Sequence, residues 1–289
     1  MVKSGFVNVI KPTGMTSSDV VIKLKKILGT KKVGHLGTLD PAASGVLPVA
    51  FGKATKFFDY FLKKDKVYIA DVKFGVLTDT LDSFGSVTDR QNVNISSEDI
   101  KNVLGEFVGK IKQVPPKYSA VKINGKKACD LIRMGVEVEI KPREIDVYDI
   151  ELLDELEKNL FRFKVHCSAG TYIRTLFNDI ASKLGTIATT PVIIRTKSGL
   201  FEIGSAVTLS QLNEEKSIIE IDKLFQGLEK INISDNVLYK KLTNGAKLTK
   251  NDLNIENENN FLIYGADKLV GMYHFEQERL ICDVFLLEE

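Results

Sequence analysis

Three cysteines, Cys129, Cys167 and Cys282, are scattered over 289 residues, an odd number with no CxxC pair. Their number and spacing exclude a disulfide framework and a zinc site, and fit reduced thiols in the cytoplasm. Histidine is just as scarce, with three residues, and no His/Cys/Asp spacing suits a metal. No stretch approaches the ~20 apolar residues of a membrane span. The opening MVKSGFVNVIKP lacks the apolar centre of a secretory signal. Repeats, low-complexity tracts and heptads are missing, and so is the GxSxG of a hydrolase elbow. GVLPVAFGKA is no phosphate loop, because Leu47 stands where the first glycine belongs and Ala54 where Ser or Thr is needed. Any chemistry must therefore run on carboxylate, tyrosine, arginine and histidine.

With 44% hydrophobic and 27% charged residues the composition is that of an ordinary globular protein. The net charge of +2 hides an asymmetry. Residues 1–66 hold 12 lysines and 4 acids, a net +8, which leaves −6 for the rest. Lys23, Lys25, Lys26, Lys31 and Lys32 precede the segment around Asp40, and Lys53, Lys56, Lys63, Lys64 and Lys66 follow it. Such a field suits a polyanion, although a helix with a wet lysine face would look the same in isolation.

Hydrophobic spacing predicts a short strand over Phe6 to Ile10. A helix capped by Thr16, Ser17 or Ser18 follows, with Val20, Val21, Leu24, Ile27 and Leu28 inward and Gly29 as its stop. Val67 to Phe74 alternates as a strand, with Tyr68, Ala70, Val72 and Phe74 on one face. Ser97 opens a helix burying Ile100, Val103, Leu104, Phe107 and Val108. Phe161, Phe163, Val165 and Cys167 form the apolar face of a further strand, opposite Arg162, Lys164 and His166. Ile173, Leu176, Phe177, Ile180, Ala181 and Leu184 form a helical stripe ended by Gly185. Gly199 to about Lys230 reads as a polar connection, and the apolar runs after it as a small all-β unit. Strands and helices mixed without a βαβ rhythm predict an α+β main domain.

Chemistry concentrates in Gly34 to Lys56, GHLGTLDPAASGVLPVAFGKATK, where Asp40 is the only acid among glycines and prolines. Asp-Pro is commonly a helix cap. Glycines at this density also let a backbone or ligand come close, and a carboxylate in so uncharged a loop needs a partner or a task. Arg174 falls in the first turn of its helix, against the macrodipole, so an anion from elsewhere is expected beside it, and Asp40 would serve. Tyr68 suits either a core position or stacking on an extruded base. His35, between two glycines, is either a satisfied loop residue or a ligand contact.

KPTGMTS (Lys11 to Ser17), the Asp40 segment, KVYIADVKFGVLTDTLDSFG (Lys66 to Gly85), QVPPKYSAVKINGKKA (Gln113 to Ala128), GTYIRTL (Gly170 to Leu176) and RTKSGLF (Arg195 to Phe201) together resemble the TruB family of tRNA pseudouridine synthases. These six blocks keep the family's order across most of residues 5–201. The resemblance implies a pseudouridine synthase fold with a mixed, mainly antiparallel central sheet flanked by helices. It implies a catalytic domain over 1–229 with an RNA-gripping insertion at about 113–143, and a PUA-like RNA-binding domain over 230–289.

In that family the T-loop uridine at tRNA position 55 becomes pseudouridine. Asp40 would be the catalytic carboxylate, Arg174 would keep it ionised and oriented, and Tyr68 would stack on the flipped uracil. His35 would hold the flipped nucleotide's place, Leu200 would line the pocket, and Lys11, Gly34 and Thr38 would contact substrate. The isomerisation leaves redox state unchanged, so no cofactor or metal is implied, and tRNA is the only partner of a cytoplasmic, monomeric enzyme. Three positions depart from the family pattern: Cys129 stands where an aromatic is usual, Ile194 where a second Arg is common, and Thr189 replaces a frequent His. A non-catalytic RNA-binding protein and a guide-RNA-dependent relative are the alternative readings.

Overall fold

A computed structural model describes residues 4–116, 119, 121–123, 125–136, 138–212, 217–253, 255 and 259–287. The chain begins with β1 (Gly5–Lys11), α1 (Ser17–Ile27), β2 (Val33–His35) and β3 (Ser44–Phe51), then α2 (Phe58–Leu62) and β4 (Lys66–Phe74). β5 (Val76–Thr78) and β6 (Val87–Arg90) form a small ribbon before α3 (Ser97–Leu104) and β7 (Gly109–Gln113). The hairpin β8 (Lys122–Ile123) and β9 (Lys126–Lys127) leads into α4 (Ala128–Arg133). Next come β10 (Arg143–Glu157), β11 (Leu160–Cys167), α5 (Ile173–Lys183), β12 (Ala188–Ser198), β13 (Phe201–Glu202), β14 (Ile218–Ile219) and α6 (Ile221–Leu224). The C-terminal part holds β15 (Glu229–Ile233), α7 (Asn236–Thr243), α8 (Lys250–Leu253), β16 (Phe261–Gly265), β17 (Lys268–Glu276) and β18 (Arg279–Phe285).

The main sheet runs β14-β1-β3-β12-β4-β11-β10-β7, with β2 and β13 paired at its margins. Every pairing in it is antiparallel except β3 with β12. Local chemistry accounts for its parts. Thr16 and Asp19 form a reciprocal capping box at the start of α1, and Gly29 leaves the helix at φ +60°. The period-2 strands β4 and β11 turn Ala70, Val72, Phe74, Phe161, Phe163, Val165 and Cys167 inward, where they meet α1, α3 and α5 in one buried cluster. α5 adds the helical stripe read from sequence, from Ile173 to Ala181.

Several expectations need correction. α3 opens at Ser97 as expected, capped by Ser96, but Val108 is 45% exposed because α3 has ended and the chain turns outward there. The polar stretch after Gly199 is not a linker. Ile218–Ile219 pairs with β1, and Val207 exchanges hydrogen bonds with Asn8 and Ile10 at 2.9 Å. Phe225 is buried and stacks on Phe57 with ring centroids 5.1 Å apart. A few aromatics anchor the stretch although its average composition is hydrophilic. The four-stranded sheet β15-β16-β17-β18 is likewise not purely β, since α7 and α8 pack with it. α7 is polar enough to escape a search for apolar runs, yet Asp235 caps it by accepting from Val237 N at 2.7 Å. One aromatic cluster joins the two sheets, with Phe6, Phe57, Phe61 and Phe225 against Leu262, Met272 and Val284. No helix among the described residues is long and apolar enough to cross a membrane.

Candidate active site

Asp40 lies in a turn between β2 and β3 and caps no helix; Ala43 N donates to its carbonyl at 3.1 Å. The residues on either side of it are pinned. Ser17 Oγ donates to Leu39 O at 3.0 Å and accepts from Leu39 N at 2.9 Å. Gly14 N donates to Pro41 O at 2.9 Å. Lys11, wholly buried, donates to Met15 O at 2.7 Å, Pro12 O at 2.9 Å and Pro41 O at 3.4 Å. Burial lowers its ammonium to about 8, against the opposing pull of Asp40. The KPTG stretch is thus a clamp beneath the Asp40 turn, and the Lys11 side chain is taken up by backbone.

The carboxylate itself meets Arg174. Arg174 sits at the second position of α5, 4% exposed, with Nη2 2.7 Å from Asp40 Oδ2. Its Nη1 donates to Thr80 O at 2.7 Å and lies 3.3 Å from Asp82 Oδ2. The anion expected against the helix dipole is therefore Asp40, with Asp82 as a second one. Asp82 is held in turn, its Oδ1 accepting from Thr80 Oγ1 at 2.6 Å and Phe84 N at 3.0 Å. α5 is itself located by Gln113, whose side-chain amide donates to Tyr172 O at 3.1 Å and accepts from Tyr172 N at 2.8 Å.

A cleft of about 790 Å³ opens over this pair. Its walls include Thr38, Asp40, Tyr68, Tyr172, Arg174 and Arg195, with Phe58, Lys63 and Arg143 among the outer residues. Burial pushes the Tyr68 phenol up to about 12, with Arg195 opposing, and Tyr68 lines the cleft. Lys66 is buried at the cleft with Nζ donating to Leu62 O at 2.8 Å and to Lys64 O. Its ammonium is lowered by burial to about 8.

The cleft brings together Asp40, Tyr68, Arg174 and Thr38. Gly34 and His35 line a separate pocket of about 370 Å³ with Ser18, Val21, Ile22 and Lys25, and Phe58 borders both. Leu200 is 51% exposed and is not part of the cleft wall. Within the insertion at about 113–143, residues 117, 118, 120, 124 and 137 and the Cys129 side chain lie outside the described residues. Asp82 and Arg195 are site residues that the sequence reading missed. Both stood inside recognised blocks, TDTLDSFG and RTKSGLF, but no local pattern distinguishes either from a surface charge.

A paired carboxylate and guanidinium beside a half-buried tyrosine, at the floor of a cleft in a mixed sheet, form the candidate active site of an enzyme. Residues 25–173 match the model of the TruB family pseudouridylate synthase N-terminal domain. A tRNA pseudouridine synthase B of Clostridium kluyveri is 43% identical over 247 residues, 84% of this chain and 85% of that protein. A tRNA pseudouridine synthase B of Clostridium acetobutylicum is 40% identical over 95% of this chain and 96% of its own length. Among solved structures, one of a Cbf5-Nop10-Gar1 complex superposes with a TM-score of 0.73 at 30% identity, covering 99% of this chain and 85% of that chain. The chain belongs to the TruB family of pseudouridylate synthases.

Proposed function

We propose that this chain isomerises the uridine at position 55 of the tRNA T-loop to pseudouridine. The observation that carries the reading is the 2.7 Å ion pair of Arg174 with Asp40 on the floor of a cleft that also holds Tyr68. The target base leaves its stack, at a cost of a few kcal/mol, and enters this cleft. The Asp40 carboxylate acts at the glycosidic centre while Arg174 fixes its direction. The C1′–N1 bond breaks, the uracil turns over the Tyr68 ring, and a C1′–C5 bond forms. C5 loses a proton and N1 gains one, so redox state is unchanged. His35 and Gly34 in the neighbouring pocket contact RNA beside the target. The names of the bacterial relatives support tRNA as the substrate.

The deciding measurement is release of tritium from tRNA labelled at uracil C5 by the purified chain alone. Release from bare tRNA is expected. Binding without release would leave only a non-catalytic RNA-binding role. A requirement for added guide RNA or partner subunits would place the chain with assemblies such as the one in the Cbf5-Nop10-Gar1 structure.

The lysine field supplies phosphate contacts that position the RNA without reading its sequence. Lys11 and Lys66 are withdrawn from it by burial, whereas Lys23, Lys25, Lys26, Lys31, Lys32, Lys56 and Lys63 remain exposed. Affinity is therefore expected to fall steeply with salt, each neutralised phosphate adding roughly −0.7 to −0.9 to the log–log slope. Residues 230–289 carry 7 basic and 10 acidic side chains, so they are expected to add little to that slope. A flat salt profile would mean the basic segment faces away from RNA.

A further inference from the structure

Arg195 is an unusual arginine. It is 1% exposed, the bulkiest of the fully buried side chains, and among the described residues no carboxylate forms an ion pair with it. A buried guanidinium is destabilising unless its donors are satisfied. Here backbone carbonyls satisfy it. Nε donates to Val46 O at 2.8 Å, Nη1 to Thr38 O at 3.1 Å and Nη2 to Gly37 O at 3.1 Å. These acceptors flank the Asp40 turn on both sides. A guanidinium presents its donors in one plane at fixed angles, so the positions of the three carbonyls relative to one another are set by a single rigid group.

The backbone of Arg195 makes the second connection. It pairs with Tyr68 on β4 and with Gly45 on β3. Gly45 has φ +107°, and a Cβ there would strike the Arg195 carbonyl oxygen and lie 2.8 Å from its nitrogen. Only glycine lets the two strands approach so closely. One residue on β12 thus touches the Asp40 turn through its side chain and the Tyr68 strand through its main chain.

We propose that Arg195 is a positioning residue that sets the Asp40 turn against Tyr68 across β3, β12 and β4. The inference rests on the reading of Asp40 as the catalytic carboxylate. Arg195 also lines the cleft beside the Tyr68 hydroxyl, so its charge faces the space where the detached base would turn.

The test is Arg195→Lys in the full chain. A lysine keeps the charge, and Lys11 shows that this protein satisfies a buried ammonium with three carbonyls. One nitrogen cannot span carbonyls spread across the arginine fork. Tritium release at saturating tRNA is expected to fall about 100-fold, the scale of a 1 Å misplacement, with tRNA affinity changed by less than about threefold. Arg195→Ala supplied with millimolar methylguanidinium is expected to recover part of the lost rate without a change in affinity. The proposal is overturned if the lysine variant melts cooperatively and keeps its rate within about threefold of the parent, or if the whole loss lies in tRNA affinity. A lysine variant that does not fold at all would also overturn it, since the residue would then serve the fold as a whole. Asp40→Asn run in parallel separates the two readings: if that variant stays active the catalytic assignment fails, whatever Arg195 does.

Discussion

Asp40→Asn is expected to abolish tritium release from C5-labelled tRNA, with a fall on the order of 10⁴-fold or more, the scale at which removal of a single nucleophile registers. The amide has almost the same shape as the carboxylate and can still accept a hydrogen bond from Arg174, so the turn need not move. Ser17, Gly14 and Lys11 hold its neighbours independently of the side chain. Asp40 is 38% exposed, and Arg174 keeps Asp82 and Thr80 O as partners. Stability should therefore change by no more than about 1 kcal/mol, and tRNA binding should survive. Single-turnover rates beside filter binding and thermal melts would show this separation. A variant that turns over within about tenfold of the parent would remove Asp40 from the chemistry, because an amide can neither attack carbon nor take a proton at neutral pH.

Arg174→Met is expected to damage both activity and stability, for a different reason. The substitution removes the only cation among the described residues at hydrogen-bond distance from Asp82, which is 8% exposed, and strands its carboxylate in a buried site. Breaking a buried pair from one side costs about 3–5 kcal/mol, or a fall in melting temperature of about 10 °C for a chain of this size. Catalysis should drop by about 10²–10³-fold as Asp40 loses its orienting partner. The paired variant Arg174→Met with Asp82→Asn tells the two effects apart. Neutralising Asp82 removes the stranded charge, so stability should largely return while the rate stays low. Recovery of both together would mean that Arg174 acts only through the fold.

Much of the architecture is legible locally, because its causes are local. The capping box at Thr16, the period-2 faces of β4 and β11, and the Ile173-to-Ala181 stripe of α5 each depend on neighbours within a few residues. Errors arise where an average hides a few decisive side chains. Residues 199–230 are polar in the mean, yet Phe201 and Phe225 stitch them into an aromatic cluster. α7 is held by one capping aspartate and so escapes an apolar pattern search. Composition puts Lys66 in an external field and the resemblance puts Lys11 at the substrate, but both turn inward onto carbonyls. Lysine's long apolar stem permits either placement.

By itself, the sequence determined that one carboxylate stands in a loop nearly devoid of other charge, and that an arginine opposes the dipole of its own helix. Both are short-range facts of composition and spacing. Tertiary structure alone decided that Asp40 and Arg174 lie 2.7 Å apart, that Asp82 shares the same guanidinium, and that Arg195 grips the turn from a third strand. The physical reason is chain separation. These groups come from distant segments, and only the register of β3, β12 and β4 and the packing of α5 on that sheet bring their charges within bonding distance.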